Sequence, residues 1–151
     1  MRKVRLLVLV PILVWNAGNF IQFLSLLNSK FLLLFPILKP TYHLVCHQQA
    51  DKLINIAGVT TLLCARCTGI YIGGLFGAIF FLIKLKPMRL PTKYLLYSSV
   101  PMFIDVGMVI AGVYGYSKPI SFSTGVLLGS VGIVYLTDLI EKFLFLERSK
   151  K

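Results

Sequence analysis

Four apolar stretches, at about residues 6–27, 62–83, 94–114 and 120–140, fix what this chain can become. Each is long enough to cross a bilayer's hydrocarbon core as a helix, which takes about 20 residues. Of 151 residues, 57% are hydrophobic and only 14% charged, and the mean hydropathy is +0.83. A soluble domain is about a quarter charged. The expected fold class is therefore all-α: one integral membrane domain over residues 1–151, a four-helix bundle with a structured extracytoplasmic first loop. The basic start (Arg2, Lys3, Arg5) and the apolar run behind it imitate a signal peptide. However, Trp15-Asn16-Ala17-Gly18-Asn19 makes a poor cleavage site, so the run reads as a retained span.

A net charge of +11 could point to nucleic acid. The basic residues instead fall between apolar runs and at the chain ends, with no aromatic-interleaved stripe, so nucleic acid is excluded as a partner and membrane lipid is expected. Eleven lie at the start, in the link from Lys84 to Lys93, and in the tail. Only Lys30, Lys39, Lys52, Arg66 and Lys118 lie on the other side. The positive-inside rule then predicts a multi-pass protein of the cell membrane with both termini cytoplasmic.

The first loop, about residues 28–61, carries apolar runs at 31–38 and 53–59 that are too short to span. The first should lie in the interface or dip back into the bilayer, and the loop should fold as a lid over the bundle. Small residues recur at every fourth position: Gly69, Gly73 and Gly77; Gly107, Ala111 and Gly115; Ser121, Gly125 and Gly129. Such rows let helix backbones approach closely inside one bundle, or between two copies in a homo-oligomer.

All three cysteines and both histidines fall between His43 and Cys67. Cys64-x-x-Cys67 opens the second span, where two thiols share one face and free N–H groups favour thiolates; Arg66 between them adds positive charge. Cys46-His47 supplies a second pair of ligands, giving a tetrahedral zinc site of Cys46, His47, Cys64 and Cys67, with His43 able to replace His47. Two other readings stay open. The Cys64/Cys67 pair could be a thiol–disulfide oxidoreductase centre, or a plain disulfide could pin the loop to span two.

Asp105 lies inside the third span, roughly 13 Å from its end at 1.5 Å per residue. A carboxylate at that depth points to function, to ion or proton transport, or to interhelical hydrogen bonds with Asn19, Gln22 or Tyr71. Asn16, Asn19 and Gln22 form a polar stripe on span one, and Ser123 and Thr124 begin span four. With Tyr71 these would line one chamber beneath the metal, holding a small-molecule or lipid-like ligand. Asp105, Tyr71 and Arg66 are the candidate catalytic residues of a metal-dependent hydrolase of such a ligand, with Asp105 the base, directly or through Tyr71. A transporter or metal-sensing subunit is the alternative that needs no hydrolysis. Asp138 and Glu141 read as interfacial charges beside Lys142.

Cys46-His47-Gln48 and Cys64-Ala65-Arg66-Cys67-Thr68-Gly69-Ile70-Tyr71-Ile72-Gly73 resemble a prokaryotic domain-of-unknown-function family of small membrane proteins. Pro101-Met102-Phe103-Ile104-Asp105 and Thr124-Gly125-Val126-Leu127-Leu128-Gly129 resemble its later signatures. The family's Asp is often followed by Gly and then by Gln one turn on; here Val106 and Gly107 follow. An Arg that often precedes the Thr-Gly block is also missing. The resemblance implies a four-helix membrane protein and marks Cys46, His47, Cys64, Arg66, Cys67, Tyr71 and Asp105, without implying a reaction.

Overall fold

The computed structural model describes residues 2–56, 58–84 and 90–148. Lys86, Arg89, Lys150 and Lys151, which entered the charge count above, lie outside them. The architecture is a helical membrane bundle carrying one small β-hairpin. Helix α1 (Arg2–Asn19) leads into α2 (Ile21–Leu27), a 3-10 turn (Ser29–Leu34) and α3 (Phe35–His43). The hairpin is β1 (Leu53–Ile56) and β2 (Val59–Cys64), followed by α4 (Ala65–Ile83), α5 (Thr92–Ile110) and α6 (Lys118–Arg148). Helices α4, α5 and α6 are each long and apolar enough to cross a membrane, and α1 with α2 makes a fourth span if the bent pair counts as one.

Several boundaries differ from the sequence reading: α5 ends at Ile110 rather than 114 and α6 runs on to Arg148 rather than 140, and the first two spans differ in ways that shape the site. The first span is not one helix to residue 27, because α2 turns 72° away from α1. Phe20 at the break has φ −97° and ψ 21°, and its N–H reaches the carbonyls of Asn16 and Ala17 only weakly, at 3.3 and 3.2 Å. Gly18 lies just before the bend because the Tyr42 hydroxyl, which donates to Trp15 O at 2.5 Å, occupies the place of a Cβ there. The second span begins at Ala65 rather than 62: the β-branched run Val59-Thr60-Thr61 pairs antiparallel with β1, Asn55 facing Thr60 and Ile56 facing Val59. Gly58, at φ +80°, allows the turn between the strands.

The small-residue rows of α4 and α6 are spent inside the chain. A Cβ on Gly69, Gly73 or Gly77 would strike the carbonyl oxygens of Phe122, Val126 or Ser130 on α6. On Gly125 or Gly129 it would strike those of Arg66 or Ile70 on α4. Backbones this close gain dispersion contacts that no larger side chain would permit. The α5 row has no such partner, since Gly107 and Gly115 meet nothing within 4 Å. Helix α5 packs on α6, across the short link 111–117.

At the end of the bundle away from the cysteines, Glu141 is not an ordinary interfacial charge. It is 5% exposed, and Arg5 is 4% exposed. Arg5 Nε donates to Glu141 Oε1 at 2.8 Å, while Nη1 donates to Phe81 O at 2.8 Å and to Lys84 O. The guanidinium lies 4.2 Å from the Phe81 ring centroid. One side chain of α1 thus satisfies carbonyls that the C-terminus of α4 leaves unpaired, and ties both to α6. Asp138 does pair with Lys142, at 2.7 Å.

Candidate metal centre

Three segments deliver the three thiols. Cys46 follows α3 in a tight turn in which its N–H and that of Val45 both donate to Tyr42 O, at 3.1 and 3.2 Å. Cys64 ends β2 and caps α4 in extended conformation (φ −63°, ψ 160°), and Cys67 sits in the first turn of α4. The three Sγ atoms lie within 4.8 Å of one another. Cys46 is buried and the other two are half-buried. Cys64 N–H donates to Cys46 Sγ at 3.4 Å, fixing the loop sulfur above the start of the helix.

Cys64 is held far towards the thiolate. Its pKa is lowered to about 5, first by the hydrogen bond with the Cys67 thiol and then by the amides of Cys67 and Arg66, against the opposing effect of burial. The amides at the start of α4 thus add to the thiol–thiol hydrogen bond, which is the larger effect. Three convergent sulfurs, one of them a thiolate, could hold a metal ion.

His47 does not join them. It is exposed, as is His43, whereas its neighbour Cys46 is buried, so the four-ligand Cys/His arrangement is not what the chain builds. Beyond the turn Gln48 takes φ +49° and its amide returns to Lys39 O at 3.1 Å.

The polar stripe of α1 and α2 holds this end of the molecule rather than lining a chamber. Asn19 is fully buried; its Oδ1 accepts from Leu63 N–H at 2.8 Å and its Nδ2 donates to Thr68 Oγ1 at 3.2 Å. Gln22 Oε1 accepts from Thr60 N–H at 3.1 Å and its hydroxyl at 3.2 Å, and Asn16 Nδ2 donates to Tyr71 O at 3.1 Å. Ile21, Tyr42, Leu62 and Leu63 form the core around Cys46, with Trp15 and Tyr71 against it. The Trp15 ring centroid is 4.4 Å from that of Tyr42 and 5.7 Å from that of Tyr71. Burial, with help from Tyr71, pushes Tyr42 up to about 12, so its hydroxyl stays a donor to Trp15 O at any physiological pH.

Asp105 is engaged elsewhere, and not by Asn19, Gln22 or Tyr71. Its Oδ2 accepts from Arg66 Nη2 at 2.6 Å and Ser121 Oγ at 2.9 Å, and its Oδ1 from the Tyr114 hydroxyl. The side chain of Arg66 therefore crosses to α5 and α6, while the sulfurs on either side of it in sequence face α1 and α3. Tyr116 flanks the pair, its ring centroid 5.9 Å from the guanidinium carbon and 5.4 Å from Lys52 Nζ. Ser123 and Thr124 bond to carbonyls of their own helix. The expected single chamber thus resolves into a thiol cluster and an ion-pair cluster joined by the first turn of α4. A crevice of about 340 Å³ opens instead beside Gly77, between Phe76, Phe80, Ser130 and Val134.

Tyr114 and Ser121 did not stand out in the sequence as partners of Asp105, nor Tyr116 as a neighbour of Arg66. Ser121 heads the row continued by Gly125 and Gly129, and the small residue there is the signal that α6 approaches α4 and Arg66 closely.

Residues 46–135 match the family described as "Predicted membrane protein (DUF2085)", and the chain belongs to it. Over 152 residues the chain is 28% identical to an uncharacterized protein of Methanocaldococcus jannaschii, covering 96% of this chain and 97% of that one. It is 29% identical over 101 residues to an uncharacterized protein of Methanothermobacter thermautotrophicus, covering 66% of this chain and 90% of the relative. No solved structure matches the chain.

Proposed function

We propose that this chain is a membrane metalloprotein in which Cys46, Cys64 and Cys67 hold one zinc ion and leave its fourth position to an outside ligand. The observation that carries this reading is the convergence of three sulfurs within 4.8 Å inside an apolar core. Zinc–sulfur bonds of about 2.3 Å in a tetrahedron place sulfurs nearly 4 Å apart, so the trio fits after a small contraction. An open position is the mark of a site that binds or acts rather than only braces. When bound, zinc would supply a Lewis acid to a lipid-like substrate. Asp105 already accepts from Arg66, Ser121 and Tyr114, so its part is to position Arg66 and the first turn of α4, and Tyr71 packs beside the thiols. With both termini cytoplasmic, as the charge distribution favours, the centre faces outward.

Zinc content of the purified protein tests this. Wild type and His47→Ala should each carry about one equivalent, while Cys46→Ser and Cys64→Ser should fall below about 0.3. Wild-type protein with less than about 0.3 equivalent of any transition metal would remove the reading.

The lowered pKa of Cys64 favours one second reading, thiol–disulfide exchange. The Cys64 thiolate would attack a substrate disulfide and expel one thiol; Cys67 would then close the Cys64–Cys67 bond and release the other. A Cys64–Cys67 disulfide that forms with a small disulfide and reopens with a small thiol would favour it.

A further inference from the structure

We propose that residues 20–45 form a collar embedded in the membrane interface on the thiol side, its partner being the acyl chains beneath an anionic headgroup layer. The 18 residues of α1 rise about 27 Å, close to the roughly 30 Å of a hydrocarbon core. The 72° bend then redirects the chain at the depth where a span should end. Helix α2, the 3-10 turn and α3 follow, with 7, 6 and 9 residues, none able to cross and each leaving large apolar residues on its outer face. Leu27 is 84% exposed, Leu33 78% and Leu44 86%, and Leu26, Leu34 and Ile37 are exposed beside them.

A lid standing in water would present all of these to solvent, a larger apolar patch than soluble surfaces carry. The opposite face is anchored. Tyr42 is bonded to Trp15 O, Gln22 to Thr60, and Ile21 and Tyr42 enter the core with Phe35 and Leu38 against it. The outward face is therefore held in place and cannot fold away. Charge completes the match: residues 20–45 contain no Asp or Glu, and their two cations, Lys30 and Lys39, are spaced along the collar where anionic headgroups attract basic groups. The thiol centre, one turn beyond α3, then sits at headgroup depth. The collar does not depend on what the thiols bind.

Trp15 is the only tryptophan, which makes depth measurable. Leu33→Trp and Ile37→Trp are each made with Trp15 retained and with Trp15→Phe, and reconstituted in vesicles of phosphatidylcholine and phosphatidylglycerol brominated along their acyl chains. Should Trp15→Phe fail to fold, the new signal is read by difference from the parent. The expected result is blue-shifted emission from the introduced tryptophan, quenched about twofold or more by acyl bromine. Brominated phosphatidylglycerol should quench more than brominated phosphatidylcholine, and Lys30→Gln with Lys39→Gln should abolish that excess. Red-shifted emission untouched by bromine would overturn the collar. Equal quenching by the two lipids while Lys30 and Lys39 are both retained, or an excess that survives their replacement, would overturn its anionic preference.

Discussion

Neutralising Asp105 should cost this protein a large part of the stability of its thiol-side end. The side chain is 3% exposed and accepts from Arg66 at 2.6 Å, Ser121 at 2.9 Å and the Tyr114 hydroxyl. Asp105→Asn keeps the shape but turns a charge-assisted bond into a contact between a guanidinium and a neutral amide. Losing one partner of a buried pair costs about 3–5 kcal/mol. Because the Arg66 side chain keeps 21% of its exposure, the lower end applies: about 3 kcal/mol, or roughly a hundredfold in the unfolding constant. The assay is unfolding in mixed micelles of increasing denaturing-detergent content, followed by the Trp15 signal. Arg66→Met should cost at least as much, since Asp105 is the more deeply buried partner. The double variant removes both charges together and should recover about 2 kcal/mol of the summed loss. A cost below about 1 kcal/mol for Asp105→Asn, or additive costs in the double variant, would refute the assignment of this pair as a buried, mutually dependent unit.

Glycine positions on different helices should separate cleanly. Gly73→Val or Gly129→Val drives a side chain into a facing backbone carbonyl and should cost about 3 kcal/mol or abolish folding, whereas Gly107→Ala meets open space and should stay within about 0.5 kcal/mol. In metal-free protein, Cys64 should alkylate readily at pH 6–7, its rate falling only as pH drops through about 5. A fold that lowers this pKa gains stability that is complete above the ordinary thiol value near 9 and is lost as pH falls through about 5. Alkylation midpoints measured with Cys46 and Cys67 replaced singly would check it. A midpoint that stays near 5 in Cys67→Ala, which removes the donor, would contradict the assignment of the Cys67 thiol as the principal cause.

Chain pattern alone disclosed much of the bundle, because a 20-residue apolar run has few fates in a lipid-bound protein. It also disclosed the cysteines as a unit, since a Cys-x-x-Cys at a helix start brings its two thiols together, here from the cap and the first turn of α4. What stayed hidden depends on contacts between distant segments. Val59-Thr60-Thr61 carries strand-forming residues, yet a two-stranded hairpin is marginal alone and exists here because Gln22 and Asn19 hold β2. His47 was indistinguishable from Cys46 as a ligand by residue type and position, and only the fold buries the one beside the other thiols and exposes the other. The bend at Phe20 has no proline to announce it; Gly18 and the Tyr42 hydroxyl that displaces a Cβ there are 24 positions apart. Tyr114 lies in the α5–α6 link and Ser121 in the first turn of α6, so nothing local shows that both reach Asp105.

The Arg5 knot carries a consequence for how the molecule is made. Synthesis delivers the arginine first; its carbonyl acceptors come 76 and 79 residues later and its carboxylate 136 residues later. Until then a cation at the edge of a greasy helix has only water and lipid phosphate for company. Such long-separation contacts form late, so the membrane-inserted intermediate should leave its first helix loosely seated and free to tilt. Arrival of the final helix latches that end, and a ribosome stalled before residue 141 should leave the nascent protein unlatched.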